Sequence, residues 1–359
     1  MRFLALSLIF LATVNVACAQ QVFKVGVTTR DFIPAEPYDW RGAAHALRAT
    51  IWYPAASEAR EQAQWIGPRI LPFISAGNAA PDAPPAPGPL RPLIVLSHGN
   101  GGRADQLAWL GAALAAHGLV AVAVNHPGNN ALADYTVEGG SLWWLRAVDL
   151  GAVIDAMLAD KTFGSRIDLA RIGAAGHSLG GYTVLTAAGG VSDPSRLQAF
   201  CGSPAADASC KPPAPASEMR EKMLARLNSD TDFRQRYEKA GNSYRDPRIR
   251  AVFAMAPGPG PVLTPESLGQ IAIPVALVTG DADEVVPPAA AAETFAKAIP
   301  RATLKRFPRA GHFIFIDSCT MAGRIFFPAF CRDPDGVDRD SVHAETVALA
   351  LEFFGANLR

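Results

Sequence analysis

The sequence predicts an α/β fold, a mostly parallel central sheet with helices packed on both faces. Three observations carry this. From about residue 93 to the end, short β-branched runs alternate with helical patterns, the rhythm of strands joined by crossover helices. Those runs are mostly apolar, as strands covered on both sides are. The chain has 359 residues, 49% of them hydrophobic, and 33 basic side chains against 33 acidic ones. It can bury a large core and has neither the low hydrophobicity nor the net charge of a disordered chain.

The elements follow in order. Residues 22–27 and 46–53 alternate well enough to form antiparallel edge strands. Residues 76–92 are rich in Ala and Pro and are expected to be a surface loop. Residues 93–96 form a buried strand. A helix over 104–117 follows, with Leu107, Leu110 and Leu114 on one face and Gly118 as its stop. A strand at 119–124, a helix at 142–158 and a strand at 171–175 come next, and a further helix begins after Ser178. Strands at 250–254, 275–279 and 302–306 and a closing helix at 342–354 complete the series. Residues 190–247 interrupt it with one cysteine pair and then a charged block, in which Met219, Met223, Leu224 and Leu227 form a helical stripe. They are expected to be an inserted helical cap or lid; the alternative is a solvated excursion with no part in binding.

The first segment stands apart from the fold. Arg2 precedes a mostly apolar stretch over residues 3–16, and Ala17-Cys18-Ala19 offers a small-residue cleavage site. This is the pattern of a secretory signal peptide cleaved after Ala19, leaving 20–359 as one folded domain with the insertion at 190–247. The alternatives are a lipoprotein anchor at Cys18 and a buried N-terminal helix. No other apolar run reaches the ~20 residues a membrane span needs. The remaining cysteines are Cys201, Cys210, Cys319 and Cys331. An even number in an exported chain points to disulfides. Of three connectivities, Cys201–Cys210 and Cys319–Cys331 are preferred, because each closes a short loop. The cysteines and histidines lack metal-ligand spacing, and the balanced charge offers no footprint for nucleic acid.

The chemistry concentrates in three loops. Gly176-His177-Ser178-Leu179-Gly180 fits G-x-S-x-G between a strand and a helix, the setting that lifts a nucleophilic serine out of the sheet. A serine hydroxyl needs a base to take its proton and an acid to orient that base. In the chain order Ser, acid, His, Asp283 is the leading acid, with Asp281 and then Glu284 behind it. His312, just past a strand end, is the base; His343 lies inside the closing helix and is the weaker candidate. The Gly-rich loop Ser97-His98-Gly99-Asn100-Gly101-Gly102 suits an oxyanion hole. Its donors are assigned to the backbone N–H groups of Asn100 and Leu179, with Gly101 second to Asn100. His98 is expected to pack beneath that loop. His126, Trp144, Tyr182 and Phe313, and also Trp143, are candidate pocket walls, each equally plausible as core.

Together these residues resemble the α/β-hydrolase superfamily. Within it the chain looks like the bacterial predicted dienelactone hydrolases, similar to plasma-type platelet-activating-factor acetylhydrolases. The stretches that carry this are TIWYPA (50–55), LSHGNGG (96–102), NHPGNN (125–130), GHSLGGYT (176–183), GDADEVVP (280–287) and AGHFIFID (310–317). The resemblance implies an exported carboxylic-ester hydrolase with Ser178, Asp283 and His312 as its triad and a small-molecule ester as substrate, needing no cofactor and no metal. Two features depart from it. The plasma enzymes resemble one another in having the acid earlier, after the strand matching 250–254, where this chain reads MAPGPG and has no carboxylate. True dienelactone hydrolases use a Cys nucleophile where this chain has Ser178. The expected substrates are short-chain esters. The alternatives are a lipase, polyesterase or cutinase-like enzyme on the same triad, or a non-catalytic binding protein that keeps the fold.

Overall fold

The computed structural model describes residues 22–34, 46–211 and 216–359. The expected signal peptide, with Cys18, lies outside the described residues. The strands are β1 (Lys24–Phe32), β2 (Leu47–Ala55), β3 (Gln62–Ile66), β4 (Ile74–Pro81), β5 (Arg91–Ser97), β6 (Val120–Val124), β7 (Ile167–His177), β8 (Ile249–Met255), β9 (Val275–Gly280), β10 (Ala302–Phe307) and β11 (Ser318–Cys319). Among the described residues they form one sheet in the order β10-β9-β8-β7-β5-β6-β2-β1-β4-β11, with β3 paired to β4. From β10 to β6 every pairing is parallel. Beyond β6 the sheet continues through β2 and β1 as an antiparallel pair, which is not at the edge as expected because β4 and β11 pair beyond β1.

The helices are α1 (Ala108–Ala116), α2 (Val137–Ser141), α3 (Leu145–Ala159), α4 (Leu179–Ala188), α5 (Pro194–Cys201), α6 (Ala216–Ser229), α7 (Thr231–Glu238), α8 (Pro265–Gly269), α9 (Ala292–Ala298), α10 (Met321–Phe326), α11 (Pro328–Cys331) and α12 (Arg339–Asn357). Successive strand residues face opposite sides of a sheet, so each apolar run serves two cores. In β5, Leu93 and Val95 pack with residues of α3, α4 and α9. Ile94 and Leu96 pack on the other face with α1 and α12. Burying side chains of this size contributes about 1.5–3 kcal/mol each. Among the described residues no helix is long and apolar enough to cross a membrane.

Several expectations need correction. Residues 76–92 are not all loop: β4 occupies Ile74–Pro81, with Ala76, Ala79 and Ala80 buried. Alanine has weak strand propensity, but here β1, β3 and β11 supply partners for the β4 backbone, and pairing outweighs propensity. The helix expected over 104–117 opens with a 3-10 turn at Ala104–Leu107 before α1 begins. In residues 190–247, Met219 is buried and Met223 and Leu227 pack beside Trp144, but Leu224 is exposed and leaves the stripe. Arg226 of α6 pairs with Glu138 of α2, tying these helices to the body. The cysteines pair as Cys201–Cys210 and Cys319–Cys331.

Candidate active site

The parallel strands β5, β7, β9 and β10 all empty toward one edge of the sheet, where open α/β sheets place their ligands. Ser178 follows β7 directly and precedes α4. Its backbone is left-handed, with φ 57° and ψ −122°, a conformation that costs a non-glycine residue about 1–3 kcal/mol. The turn is held from both sides. Its N–H donates to Met255 O at 2.9 Å, and its carbonyl accepts from Tyr182 N at 3.1 Å and Gly258 N at 3.2 Å. The flanking glycines serve close approach. A Cβ on Gly176 would lie 2.2 Å from Gly180 O, and one on Gly180 would lie 1.9 Å from Ser97 O.

His312 opens a short 3-10 turn after β10. Its Nε2 lies 2.9 Å from Ser178 Oγ and its Nδ1 lies 2.7 Å from Asp283 Oδ2. Asp283 Oδ1 accepts from the amides of Val285 at 2.9 Å and Val286 at 2.7 Å. One carboxylate oxygen is thus fixed by the backbone and the other meets the imidazole. A carboxylate can only accept, so Nδ1 carries the proton and Nε2 presents its lone pair to the serine hydroxyl. His312 and Asp283 are buried, and Ser178 is half-buried. The other acids are elsewhere: Asp281 is exposed and accepts from Arg309 N–H, and Glu284 is exposed.

Two further histidines surround the loop. His177 Nε2 donates to His312 O at 3.0 Å, and burial holds its pKa well below the usual histidine range. It therefore stays neutral beside His312, fixing that residue's backbone without adding a charge. His343 lies in α12, stacked on Trp109 with its ring 3.9 Å away, and its Nε2 meets Ile314 O at 2.8 Å. Burial lowers its pKa to about 4. Asp317, the last residue of the AGHFIFID stretch, is buried and accepts from Trp109 N at 2.8 Å, which joins the His312 loop to α1. Burial pushes its carboxyl well above the usual range.

The loop over residues 97–102 lies against the serine: a Cβ on Gly99 would sit 3.3 Å from Ser178 Cβ. Gly101 N–H is already engaged, donating to Asn129 Oδ1 at 2.7 Å. Leu179 is the first residue of α4, where amides have no intrahelical acceptor and favour negative charge. His98 is buried, its Nδ1 donating to Gly99 O at 2.7 Å, as a residue packed beneath the loop would.

Of the five pocket candidates only Phe313 and Trp143 retain exposed surface: the Phe313 ring lies 5.2 Å from His312 and 4.6 Å from Phe330, and Trp143 Nε1 donates to Gly140 O at 2.6 Å. Tyr182 is fully buried with its hydroxyl 2.5 Å from Ser192 Oγ. Trp144 is buried edge-on against Tyr237. His126 is fully buried between Ser97 and Asp149. These three rings are drawn into packing and polar contacts below the surface, so they line no open wall. Sequence reasoning missed Tyr135, Arg146 and Asp149, and read the NHPGNN stretch without singling out Asn129. A signal was present in Arg146-x-x-Asp149, two charges three residues apart within an otherwise apolar helical pattern. Among the described residues no cluster of three or more His, Cys, Asp or Glu side chains is gathered as for a metal.

Residues 94–322 match the model of the alpha/beta hydrolase family. The chain belongs to the alpha/beta hydrolase family. A 90-residue stretch, 24% of the chain, is 36% identical to cutinases est1 and est2 of Thermobifida alba. It spans only 27% of the length of each. The whole fold is similar to that of a ferulic acid esterase from Streptomyces cinnamoneus, with a TM-score of 0.60 at 21% identity. That likeness covers 96% of this chain and 92% of the other.

Proposed function

We propose that this hydrolase is an exported serine carboxylic-ester hydrolase, working through an acyl-enzyme on Ser178, His312 and Asp283. The observation that carries this reading is the unbroken chain of contacts from Ser178 Oγ to His312 Nε2 at 2.9 Å and from His312 Nδ1 to Asp283 Oδ2 at 2.7 Å. Ser178 Oγ attacks the ester carbonyl while its proton passes to Nε2. The Asp283 carboxylate stays ionised and steadies the imidazolium. The oxyanion is met by the N–H groups of Asn100 and Leu179, and one such donor typically contributes about 100- to 1000-fold in rate. Collapse of the tetrahedral intermediate expels the alcohol, which takes the proton from Nε2. Water, activated by the same imidazole, then releases the acid and restores the serine. The secretory pattern of residues 1–19 and the two disulfides support export. The motifs from TIWYPA to AGHFIFID support a place near the predicted dienelactone hydrolases.

The preferred substrates are short-chain esters of small molecules, and residues 190–247 act as a cap. Its helices α6 and α7 are rich in charge and turn little apolar surface outward, unlike a lipase-type apolar lid. One observation favours a second reading, a cutinase-like polyesterase. The segment closed by Cys319–Cys331, next to His312 through Phe313, exposes Met321, Ile325, Phe326, Phe327 and Phe330. So much exposed apolar surface marks a contact face, and an insoluble polymer would meet it. Hydrolysis of p-nitrophenyl esters from acetyl to palmitoyl, beside a polyester film, separates the readings. The short-chain reading expects rates that fall with chain length and vanish in Ser178→Ala. A flat profile contradicts it, and film cleavage that weakens in Phe326→Ser while acetyl-ester turnover persists favours the polyesterase.

A further inference from the structure

Beneath the loop of residues 97–102 lies a polar array that the mechanism above leaves unused. Ser97, His126 and Asp149 are all fully buried. His126 Nδ1 lies 2.8 Å from Asp149 Oδ2 and its Nε2 lies 2.9 Å from Ser97 Oγ. The connectivity repeats that of Ser178, His312 and Asp283. Complete burial removes it from any ester, and Arg146 joins it, with Nη2 3.4 Å from Ser97 Oγ. The same guanidinium donates to the His98 carbonyl and reaches Asn129 Oδ1 at 3.5 Å. A buried array whose members are all hydrogen-bonded rigidifies what it touches.

What it touches is the backbone beside Ser178. Asn129 Oδ1 accepts from Gly101 N at 2.7 Å, and Asn129 Nδ2 donates to Asn100 Oδ1 and to Gly139 O, each at 2.9 Å. Tyr135 donates its hydroxyl proton to the same Asn100 Oδ1 at 2.6 Å. Gly101 N–H is therefore occupied and the Asn100 side chain is clamped by two donors. The Asn100 N–H takes no hydrogen-bond acceptor among the described residues. We propose that Asn129, seated on the Arg146–Ser97–His126–Asp149 array and assisted by Tyr135, is a positioning residue that makes Asn100 N–H the oxyanion donor of this loop. This rests on the serine-hydrolase reading. Because the oxyanion exists only in the transition state, loss of the clamp lowers kcat and spares KM.

The test is steady-state kinetics of Asn129→Ala and Tyr135→Phe on p-nitrophenyl acetate. Rates are normalised to the concentration of Ser178 labelled to completion by a fluorophosphonate, so that a smaller folded fraction drops out. Inhibition by a trifluoromethyl ketone, which forms an oxyanion on the enzyme, is measured alongside. Asn129→Ala is expected to lose about 10- to 100-fold in kcat per labelled site, with KM within about threefold and Ki raised in step with the kcat loss. Tyr135→Phe, a milder change on a half-buried ring, is expected to lose several-fold in the same pattern, and it carries the test if Asn129→Ala does not fold. Unchanged kcat per labelled site in both variants, or a rise in KM with unchanged Ki, would overturn the proposal. Wild type that takes no label overturns the serine-hydrolase reading and this inference with it.

Discussion

Ser178 carries its left-handed backbone itself, and the glycines on either side answer a different need. Gly176 and Gly180 are glycines because other main chain lies where their Cβ atoms would stand, closest at Gly180 against Ser97 O, 1.9 Å away. That contact pulls the turn onto the end of β5 and so sets the distance between Ser178 and the loop over residues 97–102. Gly180→Ala must push the two apart. We expect it to lower the melting temperature by an amount corresponding to about 1–3 kcal/mol and to reduce turnover further than the lost folded fraction explains, measured by calorimetry beside kinetics. The serine, acid and histidine were legible as residues because strand-turn-helix context narrows a short motif to one place. Asn129 was not legible as a clamp: its role depends on which amide it faces, and asparagine after a strand is more often a turn former.

Elements show the same division. The central strands β5, β6, β8 and β9 announce themselves because they are covered on both faces and carry apolar side chains almost throughout. The β3–β4–β11 ribbon does not. Its strands are held by backbone pairing, and from Ala76 to Pro81 β4 carries only Ala, Gly, Asn and Pro, so composition alone made residues 76–92 look unstructured. The same ribbon anchors the segment that follows His312: Thr320 donates its hydroxyl to Pro72 O at 2.6 Å and caps α10 at Gly323. The Cys319–Cys331 bridge then closes the segment that exposes Phe326 and Phe330. Trp144 and Tyr182 escaped correct placement because a large ring suits a pocket wall and a core equally well. The place of Trp144 was decided by where the start of α3 meets the helices of residues 190–247, and that of Tyr182 by the body core and its hydroxyl contact with Ser192.

Over the whole molecule, buried titratable groups set the response to acid. His98 and His177 are held well below the usual histidine pKa and His343 at about 4, in each case chiefly by burial. In the unfolded chain each returns to about 6.5. Below that value the unfolded chain binds more protons than the folded one, so stability falls as pH drops. His343 alone contributes about 3 kcal/mol of this loss by pH 4. Asp317 works the other way, since its raised pKa adds stability as pH falls through it, but one carboxyl opposes three histidines. The melting temperature is expected to be highest above pH 6.5 and to fall steadily toward pH 4, with a smaller fall in His343→Gln. Equal melting temperatures at pH 7.5 and 4.5 would contradict this.

If Ser178 is a nucleophile activated by His312, a fluorophosphonate must modify it. Intact-mass measurement and peptide mapping after treatment are expected to find one adduct per wild-type chain, on the peptide containing Ser178, and none on Ser178→Ala. An unlabelled wild type, or an adduct that survives in Ser178→Ala, would contradict that role for Ser178.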